Sequence, residues 1–141
     1  MNVLYTTRAT ASGGGRTGTS KSEDGILDLT LTTPKELGGN GATGTNPEQL
    51  FAAGYSACFL GALKFVAGRE KVKLPEETTV TTSVGIGKRD DGEGFGLDVS
   101  IQIAASGLER SVLEGLVEKA HVVCPYSYAT RGNIEVGLTV A

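Results

Sequence analysis

Two cysteines carry the most distinctive chemistry in this chain of 141 residues. Cys58 and Cys124 are 66 positions apart, a spacing that matches neither a CxxC redox pair nor a zinc-binding knuckle. In a reducing compartment, two distant cysteines are most often ordinary buried side chains. The residues around each cysteine therefore have to indicate whether its thiol is reactive or is simply packed in the core.

The neighbours of Cys58 favour a cavity beside its sulfur. On a helix, the residues three, four and seven positions away combine apolar walls with missing side chains: Phe51, Gly54, Tyr55, Gly61, Ala62 and Phe65. This combination is typical of a small apolar pocket. A core cysteine packed against a partner helix has the same neighbours, so the periodicity leaves both interpretations open.

Other kinds of site have weaker support. A metal site would need His121 together with both cysteines and a carboxylate, and a helix-terminal His near backbone carbonyls is the simpler interpretation. Two GxGxxG matches, at 13–18 and 39–44, lack the βαβ frame that binds a dinucleotide. The net charge of -3 provides no cationic field for a nucleic acid or an anionic membrane. We therefore expect no metal, no cofactor, no nucleic-acid partner and no membrane association.

The composition is typical of one folded domain covering residues 1–141. Charged residues make up 21% and hydrophobic residues 39% of the chain, which is the balance of a folded protein rather than a disordered one. The N-terminus has no basic flank leading into an apolar run, so we predict no signal peptide and a cytoplasmic location.

Alternation of apolar and polar residues predicts four strands, at 27–31, 80–86, 95–103 and 134–140. A fifth strand is predicted at 3–10. Residues 90–94 are rich in Asp and Gly and predict a hairpin between the second and third of the four strands. These elements predict an antiparallel sheet.

A first helix is predicted from Asn46 and Pro47 to about Gly68, with Thr45 and Glu48 at the spacing of a capping box. Between positions 50 and 63 it has no charged residue, and its apolar side chains point in every direction. The apolar run is shorter than the roughly 20 residues of a membrane span. We therefore expect a core helix that is buried on all sides.

A second helix is predicted to begin at a capping box of Ser106 and Glu109 and to end before Pro125. Its buried stripe is predicted to contain Leu108, Val112, Leu116 and Ala120. One modest sheet and one amphipathic helix cannot cover a helix that is apolar all round, so we expect a second copy of the chain to do so. Small residues would let two first helices approach closely in this homodimer: Ala53, Gly54, Ala57 and Gly61.

Three stretches of the chain carry a family resemblance. They are GGGRTG around Arg16, GTNPEQLFAAGYSACF up to Phe59, and HVVCPYSYATRGNIEV around Cys124. Their order and spacing resemble the organic hydroperoxide resistance proteins of the OsmC/Ohr superfamily over essentially the whole chain. The VCPYS and ATRGN segments resemble that branch more than the sister OsmC branch. Tyr128 and Thr17 depart from the usual family residues.

The resemblance implies an α+β, OsmC-like fold in which antiparallel sheets wrap around buried central helices in an intertwined homodimer. It also implies a cofactor-free thiol peroxidase that reduces alkyl or fatty-acid hydroperoxides to alcohols. In such an enzyme Cys58 is the peroxidatic cysteine and Cys124 the resolving cysteine, while Arg16 and Glu48 activate Cys58.

In the implied reaction the Cys58 thiolate becomes a sulfenic acid and then a disulfide with Cys124. The resemblance implies that a dithiol, a lipoyl group on a partner protein, reduces this disulfide. Phe51, Tyr55 and Phe65 are predicted to form the apolar wall of the substrate pocket. Two alternatives stay open: an OsmC-type peroxidase of the sister branch, and a dimer that binds an apolar ligand as a sensor without turnover.

The predicted first helix separates Glu48 from Cys58 by ten positions, or about 15 Å of axial rise. A Glu side chain would not comfortably bring an Arg to the sulfur of its own helix over that distance. Two helices that cross antiparallel would instead bring Glu48 of one subunit towards Cys58 of the other. The alternative is that the first turn of the helix unwinds, or that Arg16 spans the gap, within one subunit.

A mixed dimer of Cys58→Ser and Glu48→Ala chains distinguishes these two arrangements. If the site is shared, both lesions fall in one pocket and the other pocket is intact, so we expect the mixed dimer to reduce peroxide while neither homodimeric variant does. Peroxide consumption by the purified mixed dimer is the measurement. An inactive mixed dimer would mean that each site is built from a single chain.

Overall fold

A computed structural model describes all residues from Met1 to Ala141. The chain contains six strands and three α-helices and divides into two compact units, residues 1–50 and 51–141. The predicted α+β class is confirmed.

The first unit contains a three-stranded antiparallel sheet. Its strands are β1 (Ala9–Ser12), β2 (Thr19–Ser22) and β3 (Asp28–Thr30), in the order β1-β2-β3. A 3-10 helix follows at Lys35–Leu37. The turn between β1 and β2 requires glycine at position 18, because a Cβ there would lie 1.9 Å from the Ser12 carbonyl oxygen.

The predicted strand at 3–10 is wrong for most of its length. The ladder with β2 begins only at Ala9, which pairs with Ser22, so residues 3–8 are not part of a strand. Strand β2 itself has the sequence TSKS, whose polar side chains give no alternating pattern to detect.

The first helix, α1, is confirmed at Pro47–Arg69. Asn46 caps it, since its side-chain Oδ1 accepts a hydrogen bond of 2.8 Å from the Gln49 N–H. The predicted capping box of Thr45 and Glu48 is wrong: the Thr45 hydroxyl donates to the Gln49 side chain, and the Glu48 carboxylate binds Arg16 instead.

Within a single chain, α1 is buried on one side only, so the prediction of burial on all sides is wrong for the protomer. The buried side chains are Tyr55, Phe59, Ala62, Leu63, Val66 and Ala67. An opposite stripe is exposed, namely Ala53, Ala57, Gly61, Lys64, Phe65 and Gly68. By length and composition alone α1 would be able to cross a membrane, as many core helices would. The homodimer stays a prediction.

The second unit contains the sheet β4 (Thr79–Lys88), β5 (Phe95–Ala104) and β6 (Val136–Val140), in that order. The predicted hairpin is confirmed, since β4 and β5 pair antiparallel across the 90–94 turn. Strand β6, in contrast, is parallel to β5. The chain leaves β5, crosses through two helices and returns in the same direction, as a parallel pair requires.

These two helices are α2 (Arg110–Val123) and α3 (Pro125–Thr130). Helix α2 begins later than its predicted capping box, because Glu109 itself is the cap and its carboxylate accepts from the Val112 N–H. The buried face accordingly consists of Leu113, Leu116, Val117 and Ala120, while Val112 is exposed. Helix α3 was not predicted.

The core of the second unit lies between α1, α2 and the sheet. Its largest fully buried side chains are Tyr55, Phe59, Leu63, Val99, Ile101, Ile103, Leu113, Cys124 and Ser127. One face of α1 therefore belongs to the core, as predicted. Both cysteines lie on elements that contribute to this core.

Replacing Asn46 with alanine removes the side-chain acceptor at the start of α1. We expect the free energy of unfolding to fall by about 1 kcal/mol, the usual loss for an N-cap. Asn46→Asp is the matched control because it keeps an acceptor oxygen. Chemical denaturation of the three proteins is the measurement, and an alanine variant as stable as the wild type would contradict the assigned cap.

Candidate active site

The two cysteines meet inside the second unit. Cys58 lies in the middle of α1, and Cys124 lies at the junction of α2 and α3. Their sulfurs are 3.5 Å apart, and both thiols are free. Cys124 is fully buried while Cys58 is partly exposed. A solute can therefore reach Cys58 but not Cys124.

The backbone fixes Cys124 at a break between two helices. Its N–H donates to the Ala120 carbonyl at 2.8 Å, closing the last turn of α2, and its own carbonyl accepts from the Tyr128 N–H at 2.9 Å. The residue itself has extended dihedral angles, φ -62° and ψ 124°. Pro125 follows at the first position of α3, where its fixed φ suits the helix and its missing N–H costs nothing.

Burial raises the pKa of the Cys58 thiol above its ordinary value, because desolvation disfavours the thiolate. The backbone N–H of Tyr126 acts in the opposite direction by hydrogen bonding to the sulfur. The raised pKa leaves Cys58 protonated at neutral pH unless another positive group faces it.

Three aromatic rings pack together: Phe51 and Tyr55 lie on α1 shortly before Cys58, and Tyr126 follows Cys124 by two residues. The ring centroids of Phe51 and Tyr126 lie 5.8 Å and 5.7 Å from that of Tyr55, and 6.2 Å from each other. Tyr126 occupies the space above Gly54, where a Cβ would come within 3.1 Å of the Tyr126 hydroxyl oxygen. Gly61, on the other side of Cys58, faces open space.

The predicted substrate residues therefore fall into two places. Phe51 and Tyr55 belong to the aromatic group, with Tyr55 completely buried. Phe65 is 55% exposed on the open stripe of α1, with the Arg69 guanidinium 5.7 Å from its ring. Their role as a substrate wall stays a prediction. Tyr126 was not among the predicted residues, although it belongs to the CPYS motif that carried the resemblance.

In the first unit, Arg16 and Glu48 form a two-pronged ion pair. The two guanidinium nitrogens donate to the two carboxylate oxygens at 2.8 Å and 2.5 Å, the fork geometry that favours Arg over Lys. Glu48 lies in the first turn of α1, where the helix dipole favours a negative charge. The Arg16 hydrogen bonds lower the pKa of the Glu48 carboxyl. The pair holds the cation in one orientation.

His121 lies in the last turn of α2, as the sequence predicted, and its side chain has a hydroxyl partner. Its Nδ1 lies 2.9 Å from the Ser127 hydroxyl oxygen. No group of three or more His, Cys, Asp or Glu side chains comes together in a way that would hold a metal ion.

Comparison with known proteins decides the family. Residues 38–139 match the sequence profile of the family described as OsmC-like protein. The organic hydroperoxide resistance protein of Xanthomonas axonopodis pv. citri (strain 306) is 58% identical over 99% of this chain and 96% of its own length. The chain belongs to the OsmC/Ohr family.

Two further relatives extend this similarity. The organic hydroperoxide resistance protein OhrA of Bacillus subtilis (strain 168) is 48% identical over 98% of this chain and 96% of its own length. The crystal structure of an organic hydroperoxide resistance protein from Elizabethkingia anophelis, with thiocyanate bound, superimposes with a TM-score of 0.93 at 53% identity, covering 100% of this chain and 99% of that one. The chain is therefore an OsmC/Ohr family member of the organic hydroperoxide resistance group, and its OsmC-like fold is confirmed.

The Arg16 and Glu48 pair should make stability depend on pH. Because Arg16 lowers the folded-state pKa of Glu48, the stabilisation is present above the unfolded value of about 4.3 and is lost as the pH falls through the lower folded value. We expect the free energy of unfolding to fall more steeply below about pH 4.3 in the wild type than in Glu48→Gln. Glu36→Gln removes an exposed carboxylate outside any ion pair and should follow the wild type. Equal slopes for all three proteins would contradict the prediction.

Proposed function

We propose that the chain is a thiol peroxidase that reduces alkyl or fatty-acid hydroperoxides to alcohols, with Cys58 as the peroxidatic and Cys124 as the resolving cysteine. The observation that carries the proposal is the 3.5 Å separation of two free thiols, one accessible and one buried. The relatives described above are also named for organic hydroperoxide resistance. Their names favour this group over the sister OsmC branch.

The chemistry takes two steps. The Cys58 thiolate attacks one oxygen of ROOH, the O–O bond breaks, and the alkoxide leaves as ROH after taking a proton; the sulfur is oxidised to a sulfenic acid. The Cys124 thiol then displaces the hydroxyl of the sulfenic acid as water and forms the disulfide. The two sulfurs have to move only from 3.5 Å to the bonded distance of about 2.0 Å.

The first step needs a thiolate, which burial of Cys58 opposes. We assign Arg16 as the cation that favours the anion. Each pKa unit corresponds to about 1.4 kcal/mol, and a guanidinium about 4 Å away at an effective dielectric near 20 contributes about 4 kcal/mol. The electrostatic energy contributed by one Arg at that distance is therefore large enough to favour the thiolate. Glu48 would oppose a thiolate directly, so its role is to orient Arg16 through the two hydrogen bonds.

The proposal includes a homodimer. The exposed stripe of α1 contains small residues at three- and four-residue spacing, Ala53, Ala57, Gly61 and Gly68, together with the exposed ring of Phe65. Small residues allow close helix approach, and an apolar stripe of this kind is a typical contact surface. A second copy of the chain is the occupant we propose.

An apolar wall made by Phe51, Tyr55 and Phe65 would favour alkyl hydroperoxides over hydrogen peroxide. A dithiol has to reduce the disulfide after each turnover, and we propose a lipoyl group on a partner protein, with no cofactor, nucleic acid or membrane involved. A reducing cytoplasm is the location that suits two cysteines that must return to thiols.

We expect Cys58→Ser to abolish organic hydroperoxide reduction when dihydrolipoamide is the reductant. Cys124→Ser should form a sulfenic acid once and then proceed to sulfinic and sulfonic acids, because no resolving thiol intercepts it. Peroxide consumption and intact mass spectrometry are the measurements, with thioredoxin as the alternative dithiol.

Three outcomes would count against the proposal. Equal loss of the first oxidation step in both variants would remove the distinction between the cysteines. Oxidised wild type that runs as a covalent dimer on a non-reducing gel would place the disulfide between chains. Binding of a hydroperoxide without consumption would favour the non-catalytic sensor.

A further inference from the structure

Helix α3 has an unusual attachment to the protein. It is only six residues long, too short to be stable on its own. Its buried side chains are Ser127 and Thr130, both of which are polar, whereas Tyr128 is 74% exposed and Tyr126 is 40% exposed. Helix α3 therefore depends on hydrogen bonds for much of the attachment that α2 obtains from its buried apolar side chains.

The Ser127 hydroxyl joins three elements of the second unit. It lies 2.9 Å from the Tyr55 hydroxyl on α1 and 2.9 Å from Nδ1 of His121 on α2. Tyr55 also lies 3.4 Å from the Thr130 hydroxyl, a longer contact to the same short helix. Ser127 and Tyr55 are completely buried, so water does not replace these bonds.

The hydrogen bonds have a consistent direction. With His121 neutral and its proton on Nε2, the Ser127 hydroxyl can donate to Nδ1 and accept from the Tyr55 hydroxyl, so that one arrangement satisfies all three groups. The Thr130 hydroxyl donates to the Ser127 carbonyl at 3.1 Å. Burial, together with the nearby positive charge of Arg131, lowers the pKa of His121, which suits its role as an acceptor. No buried side-chain polar atom is left without a partner.

The residues of this hydrogen-bond network lie close in sequence to both cysteines. Tyr55 precedes Cys58 by three residues on α1, His121 precedes Cys124 by three residues, and Ser127 follows Cys124 by three. A bond from Tyr55 to Ser127 therefore fixes the distance between the helix that carries one thiol and the junction that carries the other.

We propose that Ser127 is a positioning residue whose buried hydroxyl, held by Tyr55 and His121, keeps the Cys124 sulfur within bonding reach of Cys58. The inference deepens the proposed function, because it assigns the geometry of the resolving step. A shift of α3 by 1 to 2 Å would be comparable to the approach that the sulfurs must make to bond, about 1.5 Å.

The test measures the disulfide equilibrium without any peroxide. Reduced protein is equilibrated with oxidised and reduced dithiothreitol: the protein dithiol is oxidised to the Cys58–Cys124 disulfide while cyclic dithiothreitol is reduced to its dithiol, with no other reactant. We expect Ser127→Ala to lower the equilibrium constant for the protein disulfide about tenfold, the effect of one buried hydrogen bond. Tyr55→Phe, which removes one oxygen and keeps the ring, should lower it in the same direction and decides the question if Ser127→Ala does not fold.

Ser56→Ala is the matched control. Its hydroxyl is also partly buried on α1 and donates to the Thr82 hydroxyl at 2.9 Å, but it binds strand β4 rather than α3. The equilibrium constant of Ser56→Ala should equal that of the wild type. An unchanged constant in Tyr55→Phe and in any folded Ser127→Ala, or an equal decrease in Ser56→Ala, would overturn the proposal.

A second measurement follows the resolving step itself. With an excess of an organic hydroperoxide, one equivalent oxidises Cys58 to the sulfenic acid and a second oxidises any unresolved sulfenic acid to the sulfinic acid, so intact mass spectrometry gives the ratio of disulfide to sulfinic acid. We expect this ratio to fall about tenfold in Ser127→Ala, while the rate of the first oxidation stays that of the wild type. If no variant is oxidised at all, the peroxidase proposal fails, and the dithiothreitol equilibrium still decides the role of Ser127. An unchanged ratio in an oxidised variant would overturn the positioning role.

Discussion

The proposed reaction requires a thiol in apolar surroundings whose anion is nevertheless available. Desolvation raises the pKa of Cys58, and a protonated thiol is a poor nucleophile. The Tyr126 N–H opposes this shift only in part, because a single amide dipole is weaker than a full charge. A full positive charge would shift the balance further, and the proposed function assigns that role to Arg16, whose guanidinium is held by both oxygens of Glu48.

The same constraint separates the roles of the two cysteines. In the proposed mechanism Cys58 has to meet a solute and Cys124 has to meet only Cys58, which agrees with the partial exposure of Cys58 and the complete burial of Cys124. The helix break at Cys124 allows this placement. A residue with extended dihedral angles between two helices directs its side chain independently of either helical face, and Pro125 prevents α2 from continuing through it.

The sequence predicted the elements whose signals are local and failed where tertiary contacts decide. Helix α1 was predicted within one residue at its end, because Asn46, Pro47 and a long apolar run all agree. The buried face of α2 was predicted in part, since Glu109 rather than Ser106 is the cap and the stripe shifts to Leu113 and Val117. Strand β2 and helix α3 have polar inward side chains, so hydrophobic periodicity cannot detect them. The parallel pairing of β6 depends on the crossover and not on its own sequence.

The hydrogen-bond network at α3 was missed for the same reason, and its polarity suits the redox role that we propose. An apolar helix face packs almost equally well in several neighbouring positions, because dispersion and hydrophobic contacts have little directionality. A buried hydroxyl with two partners at 2.9 Å makes both hydrogen bonds in one position only. Moving it away leaves buried polar groups unpaired, and each of them costs its desolvation free energy. A junction that moves when its disulfide forms would return to the same place once the disulfide is reduced. In the proposed cycle, the hydrogen bonds at Ser127 would therefore restore the sulfur positions after each turnover, which a leucine at that position would not do.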